Sequence, residues 1–354
     1  MTKQNKHAWL LSDLETVPKN GLKVMSTFSC GGGSTMGYKL AGCDVIAAND
    51  IDPVMKQNYE LNFNPNYFFN CPIKDIVNKK LPDELFNLDI LDGSPPCSSF
   101  SMAGNRSEDW GKEKKFREGQ SVQILDDLFF DFIALADRLK PKVIIAENVK
   151  GMVSGIAKGY VKEVSKRIQK AGYRVQLFLI NSADCGVPQK RERVFFCCVR
   201  NDVSSAKLSL KPSAKWVSVK DAISDIKLSG KEFDYCKVDT IKRKKTFWLY
   251  RNTKPGNNFV DANFSITKKN GFWNHRRVHP NRPCPTICSG SVGLLYHWRD
   301  LRKFSFRELA RLGSFPDDYK PTSAAIGKYM VGMSVPPKMT KVVAESIISQ
   351  WLER

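Results

Sequence analysis

Histidine is scarce in this chain, four among 354 residues, and no two of its ten cysteines stand in a C-x-x-C pair. Zinc-ligand spacing is therefore missing, and no metal is expected. No segment approaches the roughly 20 apolar residues a membrane helix needs. The start, MTKQNKHAWLLSDLE, carries an apolar stretch of about four residues, too short for a signal peptide. A cytoplasmic protein is expected, in a compartment that keeps thiols reduced. Most of the cysteines then read as small core residues. Internal repeats and low-complexity tracts are also missing. Acids are comparatively few: 36 Asp and Glu face 56 Lys and Arg, a net charge of +20. Such an excess attracts polyanions, nucleic acid first among them.

What is present is an alternation. Lys23 to Phe28 reads as a strand, followed by a glycine-rich turn and a helix from near Thr35. Val45 to Ala48 and Leu88 to Leu91 read as further strands, with a helix over Val54 to Leu61 between them. From Gln120 to Leu139 apolar residues recur at helical spacing until Pro141. KVIIA (142–146), a helix over about 160–171, YRVQLFLI (173–180) and RVFFCCVR (193–200) continue the pattern. Strands alternating with helices predict an α/β fold, a mostly parallel Rossmann-like sheet with helices on both faces. Composition changes near residue 200. Between Asn201 and Gly290, 18 Lys and Arg face 7 Asp and Glu, which is over half of the net charge. The expected organisation is a catalytic domain over 1–200, a small basic domain over 201–290, and a helical segment over 291–354 that packs back onto the first.

The chemistry gathers at the ends of the expected strands. TFSCGGGSTMGYKLAG (27–42) is strand, glycine turn and helix, in which backbone approaches a ligand closely and helix amides point at it. Cys30 breaks the dinucleotide fingerprint G-x-G-x-x-G, which disfavours a nicotinamide enzyme. The next strand ends in AANDIDP, placing Asp50 where an acid can accept hydrogen bonds from ribose hydroxyls. A third strand end supplies Asp75. Together these residues outline a nucleoside pocket.

GSPPCSSFS (93–101) follows the next strand. Paired prolines stiffen the loop that presents Cys97, and small residues leave room for a flat substrate. Cys97 therefore reads as a nucleophile. IIAENVKGM (144–152) carries Glu147 at the end of an apolar strand, which desolvates it and suits it to proton delivery near neutrality. Asn148 holds it or the loop. QKRERV (189–194) sets Arg191 and Arg193 two apart on a strand, hence on one face, to orient a carboxylate, a base carbonyl or a phosphate.

At these residues the chain resembles the cytosine-5 DNA methyltransferases, bacterial or phage type. FSCGGG, NDID, KDI, GSPPCSSFS, ENVKGM, QKRERV, RPCPTI (282–287) and GKYMVGMSVPP (327–337) match the family's motifs in their order. The resemblance implies transfer of a methyl group from S-adenosyl-L-methionine to carbon 5 of a cytosine flipped out of double-stranded DNA. Cys97 would attack carbon 6, Glu147 would assist at ring nitrogen 3, and Arg191 and Arg193 would complete the catalytic set.

By the same resemblance Phe28 packs on the adenine, Asp50 binds ribose, and Asp75 reads the adenine amino group. Ser29, Cys30, Gly31 and Gly33 of the turn join them at the cofactor, as do Ile51, Ile76, Pro95, Ser334 and Val335. Ser99, Asn148, Arg251, Arg276, Arg277 and Thr286 are expected at the DNA, with the basic region as target recognition domain. The implied partners are duplex DNA and a cognate restriction endonuclease acting separately, if the enzyme is not an orphan or phage product. A monomer at the nucleoid is expected. Cys30 and Met333 stand where the family usually has glycine and asparagine. The alternatives are an inactive DNA-binding relative and a tRNA cytosine-5 methyltransferase.

Overall fold

The computed structural model describes residues 5–96, 127–153, 157–238, 243–290 and 294–353, with the backbone alone of 113–114 and 123–124. Its frame is a seven-stranded sheet. Strands β1 (Lys23–Thr27), β2 (Asp44–Asn49), β3 (Tyr67–Phe69), β4 (Ile90–Gly93), β5 (Val143–Val149), β6 (Tyr173–Asn181) and β7 (Glu192–Arg200) lie in the order β3-β2-β1-β4-β5-β7-β6. All neighbours are parallel except β7, which runs antiparallel to β5 and β6. The mostly parallel sheet is thus present. Strand order reverses between β1 and β4, and a crevice opens at such a switch point beyond the carboxyl ends of the strands.

The alternation of side chains along the central strands explains the two covered faces. Met25 and Leu91 turn to one side, where they pack with Ile76, Phe132, Ile144 and Val164. These come from helices α3 (Ile73–Asn78), α4 (Leu128–Leu139) and α5 (Lys158–Lys170) and from β5. Their neighbours Ser26 and Asp92 turn to the other side and meet helix α1 (Gly33–Leu40). On that face α1 packs against the C-terminal helix Pro337–Ile347, which continues as a π turn over Ile348–Leu352. The two approach closely because Gly37 has no side chain: a Cβ there would lie 2.4 Å from Cβ of Thr340. Helix α2 (Pro53–Glu60) starts one residue earlier than expected, at Pro53, with Asp52 accepting the Val54 amide.

Two expectations shift. The strand read at Leu88–Leu91 begins at Ile90, because a 3-10 turn occupies Asp83–Asn87 and Asp89 is tied to Lys23. Asp75 sits in the first turn of α3 rather than at a strand end. The first part of the helix read over Gln120–Leu139 lies largely outside the described residues; the described helix starts at Leu128.

Contact density divides the chain into two units instead of three consecutive segments. One holds Ser12–Asn181, Glu192–Ser213 and Ser334–Arg354, and so the sheet. The other holds Met1–Leu11, Ser182–Arg191 and Ala214–Met333. The expected boundaries at 200 and 290 differ because hydrogen bonds between distant segments knit the second unit. The Lys190 amide donates to the Cys284 carbonyl, and the Trp9 indole donates to the Ser314 carbonyl. In the basic stretch, where periodicity is poor, the chain forms short helices over Val219–Ile223, Gly230–Cys236, Lys244–Arg251 and Val260–Thr267. Phe259, Tyr250, Leu249 and Tyr296 form a small core around the last two of these.

Candidate active site

The turn after β1 is wound in left-handed steps, with φ of 53° at Phe28, 46° at Cys30 and 78° at Gly32. It is tied to β2: the Ser29 amide and hydroxyl both donate to the Asn49 carbonyl, and the Cys30 amide donates to Oδ2 of Asp50 at 2.8 Å. A Cβ on Gly33 would stand 2.4 Å from the Val335 carbonyl oxygen, so Ser334 and Val335 close over the turn. The left-handed φ at Cys30 gives a physical reason why glycine suits that position. Burial pushes its thiol up to about 12, which leaves it protonated and inert. Cys30→Gly is expected to keep stability within about 1 kcal/mol, while β-branched Cys30→Val loses about 1–3 kcal/mol. Thermal melts of the two variants check this, and equal losses would remove the backbone argument.

Asp50 follows β2 with part of its surface open, but its carboxylate lies deep in the turn. Burial raises it to about 6, against hydrogen bonds from the amides of Asp52 and Cys30 that favour the charged form. Its contribution to folding is full below the ordinary 3.8 and lost as pH rises through about 6. Asp75 is half-buried, as are Phe28 and Ile51; Ile76 is buried in the main core and offers a ligand only its backbone. Oγ of Ser334 is buried, with the Cys30 thiol beside it, a weak partner, and no stronger one among the described residues.

On the adjacent strands, β4 runs into Ser94, Pro95 and Pro96. Pro95 is buried, and its carbonyl accepts the Asn148 amide at 3.0 Å, while Oδ1 of Asn148 accepts the Val149 amide. Asn148, 4% exposed, thus holds the proline loop. Cys97 and Ser99 lie outside the described residues. Glu147, at the carboxyl end of β5, meets Arg193 with Nε 2.8 Å from Oε1. Antiparallel pairing sets Arg193 of β7 opposite Val149, and the two-residue alternation returns Glu147 to the same face.

Arg191 does not join them. Strand β7 starts at Glu192, so the expected one-face pair of arginines is not formed. Arg191 belongs to the other unit, 4% exposed, where its guanidinium donates to the carbonyls of Ile287, Gly332 and Met333. Thr286 donates to the Lys190 carbonyl there. Arg277 stacks over Tyr250 and donates to the carbonyls of Trp298 and Thr253, so it braces its own unit. Arg276 is half-buried and Arg251 exposed. Asp92, missed from the sequence, lies 4% exposed among hydroxyl groups at the end of β4. The signal was an acid inside the apolar run ILDG.

A family model described as C-5 cytosine-specific DNA methylase matches residues 22–349. The chain belongs to that family. The methylase is 30% identical over 351 residues to type II methyltransferase M.FnuDI of Fusobacterium nucleatum, covering 92% of this chain and 94% of that one. To M.NgoFVII of Neisseria gonorrhoeae it is 31% identical over 350 residues, covering 93% and 87%. Among solved structures it resembles a chain encoded within an E. coli prophage, with TM-score 0.67, 21% identity, and 93% and 99% of the two chains covered. It also resembles the Dnmt2 methyltransferase of S. pombe, with TM-score 0.63, 17% identity, and 93% and 99% covered. These two likenesses speak for the fold.

The methylase is a DNA (cytosine-5) methyltransferase, and S-adenosylmethionine is its methyl donor. The turn fits that donor: an anionic carboxylate at Asp50 for hydroxyl groups, an aromatic at Phe28, and the buried hydroxyl of Ser334, which only a thiol partners among the described residues. Among the described residues no helix is long and apolar enough to cross a membrane. If ionised Asp50 accepts the ribose hydroxyls, affinity for S-adenosylmethionine falls as pH drops through about 6. Calorimetry should find binding about tenfold weaker at pH 5 than at pH 8. The same affinity at both would remove Asp50 from this role.

Proposed function

We propose that the methylase modifies one specific duplex sequence through a covalent adduct on Cys97. In this reading the Cys97 sulfur bonds to carbon 6 of the cytosine while Glu147 donates a hydrogen bond or proton at ring nitrogen 3. Arg193 holds the Glu147 carboxyl in place. Electron density pushed into the ring makes carbon 5 nucleophilic. S-adenosylmethionine, when bound, supplies an electrophilic methyl group. A base then takes the carbon 5 proton, the sulfur–carbon 6 bond breaks, and Cys97 returns as thiolate. Asp50 accepts the ribose hydroxyls, Asp75 the adenine amino group, and Phe28 packs on the ring. The observation that carries the reading is the Glu147–Arg193 pair at 2.8 Å on β5 and β7, beside the Asn148-held loop that leads to Cys97.

The basic unit takes the DNA. Arg243, Lys244, Lys245, Arg251 and Lys254 have no ion-pair partner among the described residues. Phe247 and Trp248 stand exposed on the same helix, Lys244–Arg251. Cations without acids to neutralise them suit phosphates, and exposed apolar side chains suit base edges. Arg251, and with it Arg276, belongs to this surface. Replacing Lys244 and Lys245 by alanine is expected to lower the slope of log affinity against log salt by about 1 per lysine. An unchanged slope would move the DNA elsewhere.

In this reading the enzyme is a monomer acting on cytoplasmic, nucleoid DNA. It protects sites from a separate cognate restriction endonuclease, and the type II naming of its relatives supports that last part alone. Bisulfite sequencing of host DNA expressing this chain tests activity and target together. Protected cytosines within one sequence context are expected; full conversion with folded, cofactor-binding enzyme would overturn the reading.

A further inference from the structure

Ser26 of β1 and Asp92 of β4 are register partners on adjacent parallel strands, and both face α1. From α1 two residues answer them. Ser34 and Tyr38 are four apart, so they share one face of the helix. The Tyr38 hydroxyl donates to Oδ1 of Asp92 at 3.0 Å, and the Ser26 hydroxyl donates to Oδ2 at 3.0 Å. With its proton so used, Ser26 accepts from Ser34 at 3.1 Å. Thr27 adds a bond to the Asp92 carbonyl. Tyr38 and Ser26 are fully buried, Asp92 and Ser34 nearly so. Burial raises Asp92 to about 6, against hydrogen bonds from hydroxyls, those of Tyr38 and Ser26 among them, that favour its charge.

A buried carboxylate is costly in a central strand, where an apolar residue would pack without penalty. Its place says what it holds. Upstream, α1 begins directly after the turn with Phe28, Cys30 and Gly32. Downstream, Asp92 precedes Pro95, Pro96 and Cys97 by three, four and five residues.

We propose that Asp92 is a positioning residue for methyl transfer, clamping the start of α1 to β4 so that the cofactor turn and the strand leading to Cys97 move as one body. The clamp does not bind the cofactor itself; it fixes one reacting group relative to the other, where a misplacement of about 1 Å costs on the order of 10²-fold in rate.

The variants separate this from simple folding. In Asp92→Ala, Tyr38 and Ser26 lose their acceptor. In Asp92→Asn, Oδ1 still accepts from Tyr38, and Nδ2 can donate to Ser26, which turns its proton to Ser34. Three readouts are compared in the full-length enzyme: single-turnover transfer of labelled methyl to unmodified genomic DNA at saturating cofactor, calorimetric affinity for S-adenosylmethionine, and hydrogen exchange of amides 33–40.

Asp92→Ala is expected to slow transfer about 10- to 100-fold. Cofactor affinity should stay within about threefold, α1 amides should exchange faster, and Asp92→Asn should recover most of the rate. Should Asp92→Ala fail to fold, Tyr38→Phe and Ser26→Ala, which each remove one bond, are expected to slow transfer several-fold without weakening cofactor binding. An unchanged rate in the foldable variants overturns the clamp. So does a loss recovered by more cofactor, or an equal loss in the Asn and Ala variants.

Discussion

Cys97→Ser methylase is expected to lose methyl transfer by on the order of 10⁴- to 10⁶-fold, the scale seen when a covalent nucleophile is removed. A serine hydroxyl is almost wholly protonated at neutral pH, whereas a cysteine is partly thiolate and far more nucleophilic. Binding should survive, because the residues around Asp50 and the lysines near 244 are untouched. The informative comparison is therefore single-turnover transfer against DNA and cofactor affinities in the same preparation. Transfer within tenfold of the unaltered enzyme would sink the nucleophile assignment. A second measurement reaches the intermediate directly. DNA carrying 5-fluorocytosine at the target should stay covalently attached, since the proton removed before elimination is replaced by fluorine. Without such an adduct from active enzyme, a different mechanism must hold.

Glu147→Gln should lower transfer by about 10²- to 10⁴-fold, the usual share of a positioned acid. Glutamine keeps the shape and a donor but has no carboxyl proton to deliver. Arg193→Leu tests the other half of the pair. It leaves Glu147, 8% exposed, with its ion-pair partner at 2.8 Å gone. Breaking a buried pair at one end costs about 3–5 kcal/mol of stability. Restoring neutrality should recover part of this: the double change Glu147→Gln with Arg193→Leu is expected to be more stable than Arg193→Leu alone, though no more active. A double variant less stable than both single ones would show that the pair does not act as a unit.

Much of this could be read along the chain because its signals are local. The glycine turn, the acid after β2, the proline pair and the glutamate each end a short apolar run, so their common edge followed from alternation alone. Arg191 and Arg193 show the limit. Spacing put both on one face, but β7 starts at Glu192. That single residue sends Arg193 to Glu147 and Arg191 to carbonyls 96, 141 and 142 positions away in sequence. Asn148 was similarly ambiguous until the Pro95 carbonyl lay against it.

The sequence by itself determined the order of strands and helices along the chain, the acids Asp50 and Glu147 at strand ends, and the excess of positive charge. Periodicity, proline and glycine act over a few residues and need no partner to be recognised. Only the tertiary structure decided which polar groups are spent inside the protein: Arg277 on carbonyls, Thr286 on Lys190, Asp92 on the hydroxyls of Ser26 and Tyr38. A hydrogen bond depends on where two chain segments meet in space, and no spacing along the chain carries that distance.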